Sequence, residues 1–394
     1  KKIFIYFWYL EFNKLNKDKL IYIVAGEPSG DFIGGQLISK LSEKKSNLRF
    51  YGVGGINMEN HNFKSLFPIS ELSVMGILPV LLKINSLFRR INNVVEDIID
   101  KEPDIVVLID SPDFNHRVAK RLKKKSFQSP VICYVAPSAW AWRENRVKSM
   151  TTDFDHLFCL LPFERDFFTH RGLKTTYVGH PVIPKILTNN NKESFREIYN
   201  IKKKPILVFL PGSRVSEIKR HIKPFKDAFN EIKKKIPDII LAIPIHRKNK
   251  SLIEREFKNS IIVLSEKEKF LLFKDANVAC ASSGTVTLEL GLSLLPMLVI
   301  YKLDFLTWSI VRRLAKVRFI SLINLVLNKN SVTELIQNKC NKNNIYQSLL
   351  GLFFDKEILD KQINDLKNFR KIILSDKDDP TEKAAKKILE FIEK

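Results

Sequence analysis

Short apolar runs alternate with stretches of helical period along most of the chain. Strand-like runs fall at Leu20–Ala25, Phe50–Val53, Ile105–Ile109, Val131–Val135, His156–Leu161, Ile206–Leu210, Ile239–Ile245, Ile261–Leu264, Val278–Ala281 and Leu298–Tyr301. Most are β-branched and apolar at successive positions, the pattern of parallel strands covered on both faces. Between them, apolar residues recur at helical spacing, as at Leu37, Ile38 and Leu41 or Ile222, Phe225, Phe229 and Ile232. Strands alternating with helices predict an α/β fold with parallel sheets.

Two of these strands end alike. Tyr22–Ala25 runs into Gly26-Glu27-Pro28-Ser29-Gly30-Asp31, and Ile206–Leu210 runs into Pro211-Gly212-Ser213-Arg214. A buried strand that ends in glycine and opens a helix lets backbone approach a ligand and aims N–H groups at an anion. Its recurrence half a chain later predicts two Rossmann-like domains facing across a cleft. The polar stretch Pro181–Pro205, with Asn189-Asn190-Asn191 and Lys202-Lys203-Lys204, marks the boundary. The first domain is therefore read over residues 20–186 and the second over 187–394, with the last helix free to return to the first. Residues 1–19 stand apart. Ile3–Leu10 is apolar and aromatic after two lysines, like the start of a signal peptide, yet no small-residue cleavage site follows and the run is too short to span a bilayer. The chain does not open on methionine, and this segment reads as an atypical extension, an added strand or a disordered lead in preference to an anchor.

Composition narrows the picture in three places. A chain of 394 residues with 45% hydrophobic content can support packed cores in about two to three domains. The four cysteines, Cys133, Cys159, Cys280 and Cys340, have no close pair and no metal-ligand spacing; three of them sit in apolar runs as small buried hydrophobes, a pattern that fits a reducing cytosol. The net charge of +23 fits attraction to an anionic membrane surface or a phosphorylated ligand; it equally fits a lysine-rich composition spread over solvated faces. Lysine clusters at 123–125 and 233–235 lack interleaved aromatics and accompany no nucleic-acid module, so no nucleic-acid partner is expected.

Candidate chemistry sits at strand ends. Asp110 closes Ile105–Ile109 and precedes Ser111-Pro112-Asp113-Phe114-Asn115. Ligands of open α/β sheets lie beyond the carboxyl ends of strands, which places Asp110 as a general base. Asp113 is a second candidate, with a helix N-cap as its alternative role. Tyr134–Arg143 holds Trp140 and Trp142, two of four tryptophans, whose faces suit a sugar ring or an acyl chain if they are not core. His180, after Val178-Gly179, either faces the cleft or is a hydrogen-bonded structural histidine. In the second half, Gly212, Ser213 and the Arg214 guanidinium form a diphosphate site without a metal, and the Gly-Lys-Ser/Thr ending of a P-loop is absent. Ala281-Ser282-Ser283-Gly284-Thr285 makes a second anion cradle, and Glu289, a turn into the following helix, is placed to accept both hydroxyls of a ribose. Neither loop spells Gly-x-Gly-x-x-Gly, so a nicotinamide is disfavoured, and no cofactor or metal is expected.

The residues also carry a resemblance. Ala25–Asp31, Gly52-Val53-Gly54-Gly55, Met75-Gly76-Ile77, Ile109–Asn115, Pro137-Ser138-Ala139-Trp140-Ala141-Trp142-Arg143 and Leu161-Pro162-Phe163-Glu164 follow one another in order. Gly179-His180, Leu210–Arg214 with Glu217, Ser283-Gly284-Thr285 with Glu289, and Ser321-Leu322-Ile323-Asn324-Leu325 complete the series. With these the chain, from about residue 20 to its end, resembles the lipid-A-disaccharide synthases, glycosyltransferases of the GT-B fold. Pro28, Ala136, Ala139 and Pro181 depart from residues common in that family, and none of them removes a charged or nucleophilic group.

The resemblance implies an inverting transfer of 2,3-diacylglucosamine from UDP to 2,3-diacylglucosamine 1-phosphate, giving the lipid A disaccharide 1-phosphate and UDP. Asp110 would take the proton of the acceptor 6-hydroxyl, with Asp113 and Glu27 as further catalytic candidates. Gly212, Ser213, Arg214, Ser283, Gly284, Thr285, Glu289 and Asn324 would hold the UDP donor and stabilise its departing charge. Ser29, Gly30, Asp31, Met75, Gly76, Ile77, Trp140, Trp142, Arg143 and His180 would line the acceptor and acyl side. Val74–Ile84 and Phe305–Phe319, mixing apolar residues with arginines, would meet an anionic leaflet. The implied setting is a cytoplasmic enzyme peripheral to the inner membrane of a Gram-negative cell, working as a homodimer with exchanged C-terminal segments. A UDP-N-acetylglucosamine 2-epimerase would share the two-domain architecture but not explain the paired tryptophans. A non-catalytic membrane-surface protein would explain the charge but not Asp110.

Overall fold

The computed structural model describes residues 18–72, 84–137, 144–187, 193–314, 318–376 and 378–393. Most of the N-terminal extension lies outside them, as do Met75, Gly76 and Ile77, and Trp140, Trp142 and Arg143. Two compact units emerge. One runs to Pro181 and takes up Asp378–Lys394; the other is Val182–Lys377.

The first unit is built on a seven-stranded parallel sheet. Its strands are β1 (Lys19–Ala25), β2 (Leu48–Val53), β3 (Lys64–Ser65), β4 (Ile105–Ile109), β5 (Val131–Tyr134), β6 (His156–Cys159) and β7 (Thr175–Tyr177), in the order β3-β2-β1-β4-β5-β6-β7. The period of two sorts their apolar side chains into two layers. Tyr22, Val24, Val106 and Leu108 pack on one face with Phe114, Val118 and Leu122 of helix Pro112–Lys124. Ile21, Ile23, Ile105, Val107 and Ile109 pack on the other with Ile33, Leu37 and Leu41 of helix Pro28–Lys44. The last helix, Pro380–Ile392, completes that second layer with Ala384, Ala385, Ile388 and Ile392. All ten apolar runs of the sequence reading lie on strands of the two sheets. The three unforeseen strands, β3, β7 and Glu334–Ile336 of the second sheet, are two or three residues long and lie at sheet edges.

One buried histidine gives this unit a pH dependence. His156, on β6, meets the Thr176 hydroxyl through Nε2 at 2.8 Å and packs edge-on against Phe391 of the last helix. Burial, with help from the Lys387 and Lys174 ammoniums, pushes its imidazole down to about 4 from an ordinary 6.5. Between those two values the unfolded chain binds a proton that the folded chain refuses, so stability falls as pH falls through the window. The full loss is up to about 3 kcal/mol. Urea unfolding of wild type and His156→Gln should therefore converge as pH drops from 7 to 4. Parallel curves across that range would show that His156 folds without resisting protonation.

The second unit repeats the plan with six parallel strands: β8 (Ile206–Leu210), β9 (Ile240–Pro244), β10 (Ile261–Val263), β11 (Val278–Ser282), β12 (Met297–Tyr301) and β13 (Glu334–Ile336). Their order is β10-β9-β8-β11-β12-β13. Counted within each unit, both sheets share the order 3-2-1-4-5-6, with a seventh strand added at the end of the first, and each reverses direction of growth between its first and fourth strands. Ile218, Ile222 and Phe225 of helix Val215–Lys235 cover one face, where Phe209 stacks on Phe225 with ring centroids 3.6 Å apart.

Candidate active site

In the first unit the crevice opens where β1 and β4 lie side by side, Ala25 beside Ile109. The helix after β1 goes to one face of the sheet and the helix after β4 to the other, so their loops diverge around the strand ends. Asp110 stands there. The Ser29 hydroxyl donates to its Oδ2 at 2.7 Å and the Ser111 N–H to its Oδ1 at 2.8 Å.

The turn that presents Asp110 is strained. Asp110 and Ser111 both have positive φ, 54° and 44°, a conformation that costs a non-glycine residue about 1–3 kcal/mol. Asn115, almost fully buried, holds it by donating from Nδ2 to the carbonyls of Ile109 and Asp110 at 3.1 and 2.6 Å. Gly26 makes room for it: a Cβ there would lie 2.2 Å from that of Ser111. Gly30 backs the same turn, since its Cβ would stand 3.3 Å from that of Asp110. Glu27, half-buried, is the N-cap of helix Pro28–Lys44.

Asp113 has a different setting. Its side chain is 70% exposed and pairs with Arg146 at 2.9 Å. Arg146, on helix Glu144–Asp153, also donates to the Pro112 carbonyl and, from Nε, to His116 Nδ1. With Nδ1 accepting, His116 carries its proton on Nε2 and donates to Asp153 at 2.9 Å. Burial, then the Arg146 charge, lowers the His116 pKa and keeps the ring neutral. Asp113 thus ends a chain of hydrogen bonds running back along helix Pro112–Lys124, whereas Asp110 lies at the strand end.

Asp31 was expected to line the acceptor side and does not. It is 3% exposed, and both oxygens cap the short helix Ile56–Glu59. Oδ1 accepts from the Gly55 and Met58 N–H groups, Oδ2 from the Asn57 N–H and side-chain amide. Four donors leave this carboxylate a structural hub. His180 is half-buried beyond β7, and burial lowers its pKa to about 4, so its ring is neutral near pH 7.

The second unit's crevice opens at the corresponding place, between β8 and β11. Gly212 has φ 113°, and a Cβ there would strike the Glu217 carboxylate at 2.2 Å. Glu217, in the first turn of helix Val215–Lys235, accepts from the Ser213 N–H at 3.2 Å. Burial pushes its pKa up, opposed by the Arg214 charge and by hydrogen bonds from the Ser213 and Arg214 backbone. The Ser213 N–H expected to face a diphosphate is therefore turned to the chain's own carboxylate, as in a capping box. The Arg214 side chain on the same loop is exposed. Two buried groups fasten the loop from behind. His221 donates from Nδ1 to the Pro211 carbonyl at 2.8 Å and accepts the Lys302 N–H at Nε2, while Asn249 donates to the Ser213 carbonyl.

The second cradle follows β11. Gly284 and Thr285 are exposed at the start of helix Thr285–Leu292; Ser283 donates to the Ile320 carbonyl at 2.7 Å. Asn324, expected among the donor ligands, is fully buried. Its amide nitrogen donates to Val332 O and Glu334 Oε1, both at 2.8 Å, and its oxygen accepts the Ser331 and Val332 N–H groups. Glu334 in turn accepts the Ile320 and Ser321 N–H groups. Asn324 therefore steadies the segment on which Ser283 leans and has no hydrogen-bonding capacity left for a ligand. Glu289 is buried one turn into its helix and pairs with Lys269 at 2.8 Å.

The roles of Arg146, Asn115 and Lys269 escaped the sequence reading. Asn115 lies in the quoted Ile109–Asn115 motif, so a signal for it existed. Arg146 and Lys269 carry none, being two basic residues among 66. Among the described residues no three His, Cys, Asp or Glu side chains group as a metal site, and no helix is long and apolar enough to cross a membrane.

Two Rossmann-like domains, each with its loops at the switch point, define a GT-B-type α/β protein. The family model for lipid-A-disaccharide synthetase matches residues 21–388. A lipid-A-disaccharide synthase of Gluconobacter oxydans is 38% identical over 87% of this chain and 84% of its own length. That of Rhodospirillum centenum is 32% identical over 96% of each. The chain belongs to the lipid-A-disaccharide synthase family. Solved structures share the fold at lower identity. The UDP-GlcNAc 2-epimerase of Neisseria meningitidis bound to UDP-GlcNAc is 15% identical, with a TM-score of 0.62 over 94% of this chain and 98% of that one. A trehalose-6-phosphate structure from E. coli bound with UDP-2-fluoro glucose is 10% identical, with a TM-score of 0.58 over 95% and 98%.

Proposed function

We infer that this protein is the inverting hexosyltransferase of lipid A biosynthesis that joins UDP-2,3-diacylglucosamine to 2,3-diacylglucosamine 1-phosphate. The observation that carries the reading is family membership over residues 21–388. In the proposed reaction Asp110 accepts the proton of the acceptor 6-hydroxyl as that oxygen bonds to the anomeric carbon. The bond from that carbon to UDP breaks on the opposite face, which inverts the centre. Ser29, donating to Asp110, orients the carboxylate. Arg214 and the Gly284–Thr285 helix start stabilise the charge that gathers on the departing diphosphate, and Glu289 takes the ribose hydroxyls.

Both proposed substrates carry acyl chains, so we extend the reading to an anionic membrane surface at the inner face of a Gram-negative inner membrane. The net charge of +23 supports it, as do exposed Arg312 and Arg313 on helix Phe305–Leu314. Homodimer formation belongs to the same proposal. The test is incubation with both diacylated sugars, following lipid products and UDP together. Disaccharide 1-phosphate and UDP in equal amounts are expected. Epimerisation of UDP-N-acetylglucosamine with no disaccharide would replace this reading with the epimerase one.

A further inference from the structure

Glu289 raises a physical problem. Its side chain is 11% exposed, and burial pushes its pKa up. A carboxylate accepts hydrogen bonds from both hydroxyls of a ribose; a carboxylic acid has turned one of its oxygens into a donor. A residue meant to grip a diol in this position has to be kept ionised and aimed.

Lys269 is placed to do both. Its ammonium lies 2.8 Å from Glu289 Oε2, and its side chain is 20% exposed. The same nitrogen sits 4.6 Å from the centre of the Phe270 ring, which gives the cation a fixed seat on helix Glu266–Asp275. The other charges facing Glu289 cancel one another. Glu266, on that helix, repels it, and Lys185, on helix Val182–Leu187, attracts it, but these two pair with each other at 2.8 Å. Lys269 alone among them touches the carboxylate.

We propose that Lys269 is a positioning residue for the nucleotide sugar donor, holding Glu289 as an ionised acceptor with its second oxygen turned to the ribose hydroxyls. The proposal rests on the reading of Glu289 as the ribose contact. It accounts for a half-buried lysine that no sequence motif marks, and it assigns selection of ribose over deoxyribose to a pair of side chains.

The test is calorimetric titration of the full chain with UDP and with 2′-deoxy-UDP at pH 6, 7 and 8. Lys269→Met keeps an unbranched side chain of similar length and removes the charge. It should weaken UDP binding about tenfold to a hundredfold while changing 2′-deoxy-UDP binding far less, so that discrimination between the two collapses. The UDP deficit should deepen from pH 8 to pH 6 as Glu289 takes up a proton, and Lys269→Arg should restore most of the affinity. An equal loss for both nucleotides would reduce Lys269 to a packing role and overturn the proposal, as would unchanged discrimination. Lys269→Gln, read the same way, decides the matter if the Met variant does not fold. Glu289→Gln separates the two layers: if it discriminates like wild type, the ribose reading itself fails and takes the proposal with it.

Discussion

Asp110→Asn should lower kcat about a hundredfold to ten-thousandfold, the usual contribution of a general base, with UDP affinity nearly unchanged. The substitution is clean because the local structure accepts it. Asparagine is among the few residues at ease at positive φ, so the Asp110–Ser111 turn keeps its shape. Its amide oxygen still accepts the Ser111 N–H, and its NH₂ meets Ser29, whose hydroxyl rotates from donor to acceptor. What is lost is the ability to take a proton. Asp113→Asn, which weakens the pair between a 70% exposed carboxylate and Arg146, should cost far less. Single-turnover rates on both variants decide the assignment. If Asp113→Asn abolishes turnover and Asp110→Asn leaves it intact, the base has been misplaced.

The second large effect is on stability. Asn324→Ala leaves the Val332 N–H and the Val332 carbonyl without their buried partner, while the Ser331 N–H keeps the Lys329 carbonyl and the Glu334 oxygen keeps the Ser321 N–H. Each such orphan costs about 1–3 kcal/mol, and with partial relaxation the total should reach about 3–5 kcal/mol. The Ser283–Ile320 contact loosens with it, so some donor affinity goes too, but the main signature is a lower unfolding midpoint in urea. A variant that unfolds like wild type yet has lost UDP binding would return Asn324 to the ligand set.

These two residues show where sequence reading succeeds and where it stops. The place of Asp110 at a strand end was legible because it closes an apolar run whose ends have a fixed meaning in a parallel sheet. The doubled glycine loops were legible for the same reason. Asn324 and Asp31 stood in motifs shared with the family, but whether such a group meets a ligand or caps a backbone depends on burial, which only the folded chain decides. Lys269 had no signal because its seat is made by Phe270 and its partner lies on another helix. The edge strands Lys64–Ser65, Thr175–Tyr177 and Glu334–Ile336 are too short for a period of two to register. Glu217 stood in a motif, yet its capture of the Ser213 N–H followed only from the turn that Gly212 permits.

The last helix has a consequence for synthesis. The unit Val182–Lys377 is one unbroken segment, so all of its strands have been made before Asp378 is added. The first unit is different. Ile33, Leu37 and Leu41 wait for Ala384, Ala385 and Ile388, encoded after the whole of the second unit, to close their layer. The half that is begun first therefore cannot close this apolar layer until the other half has been made.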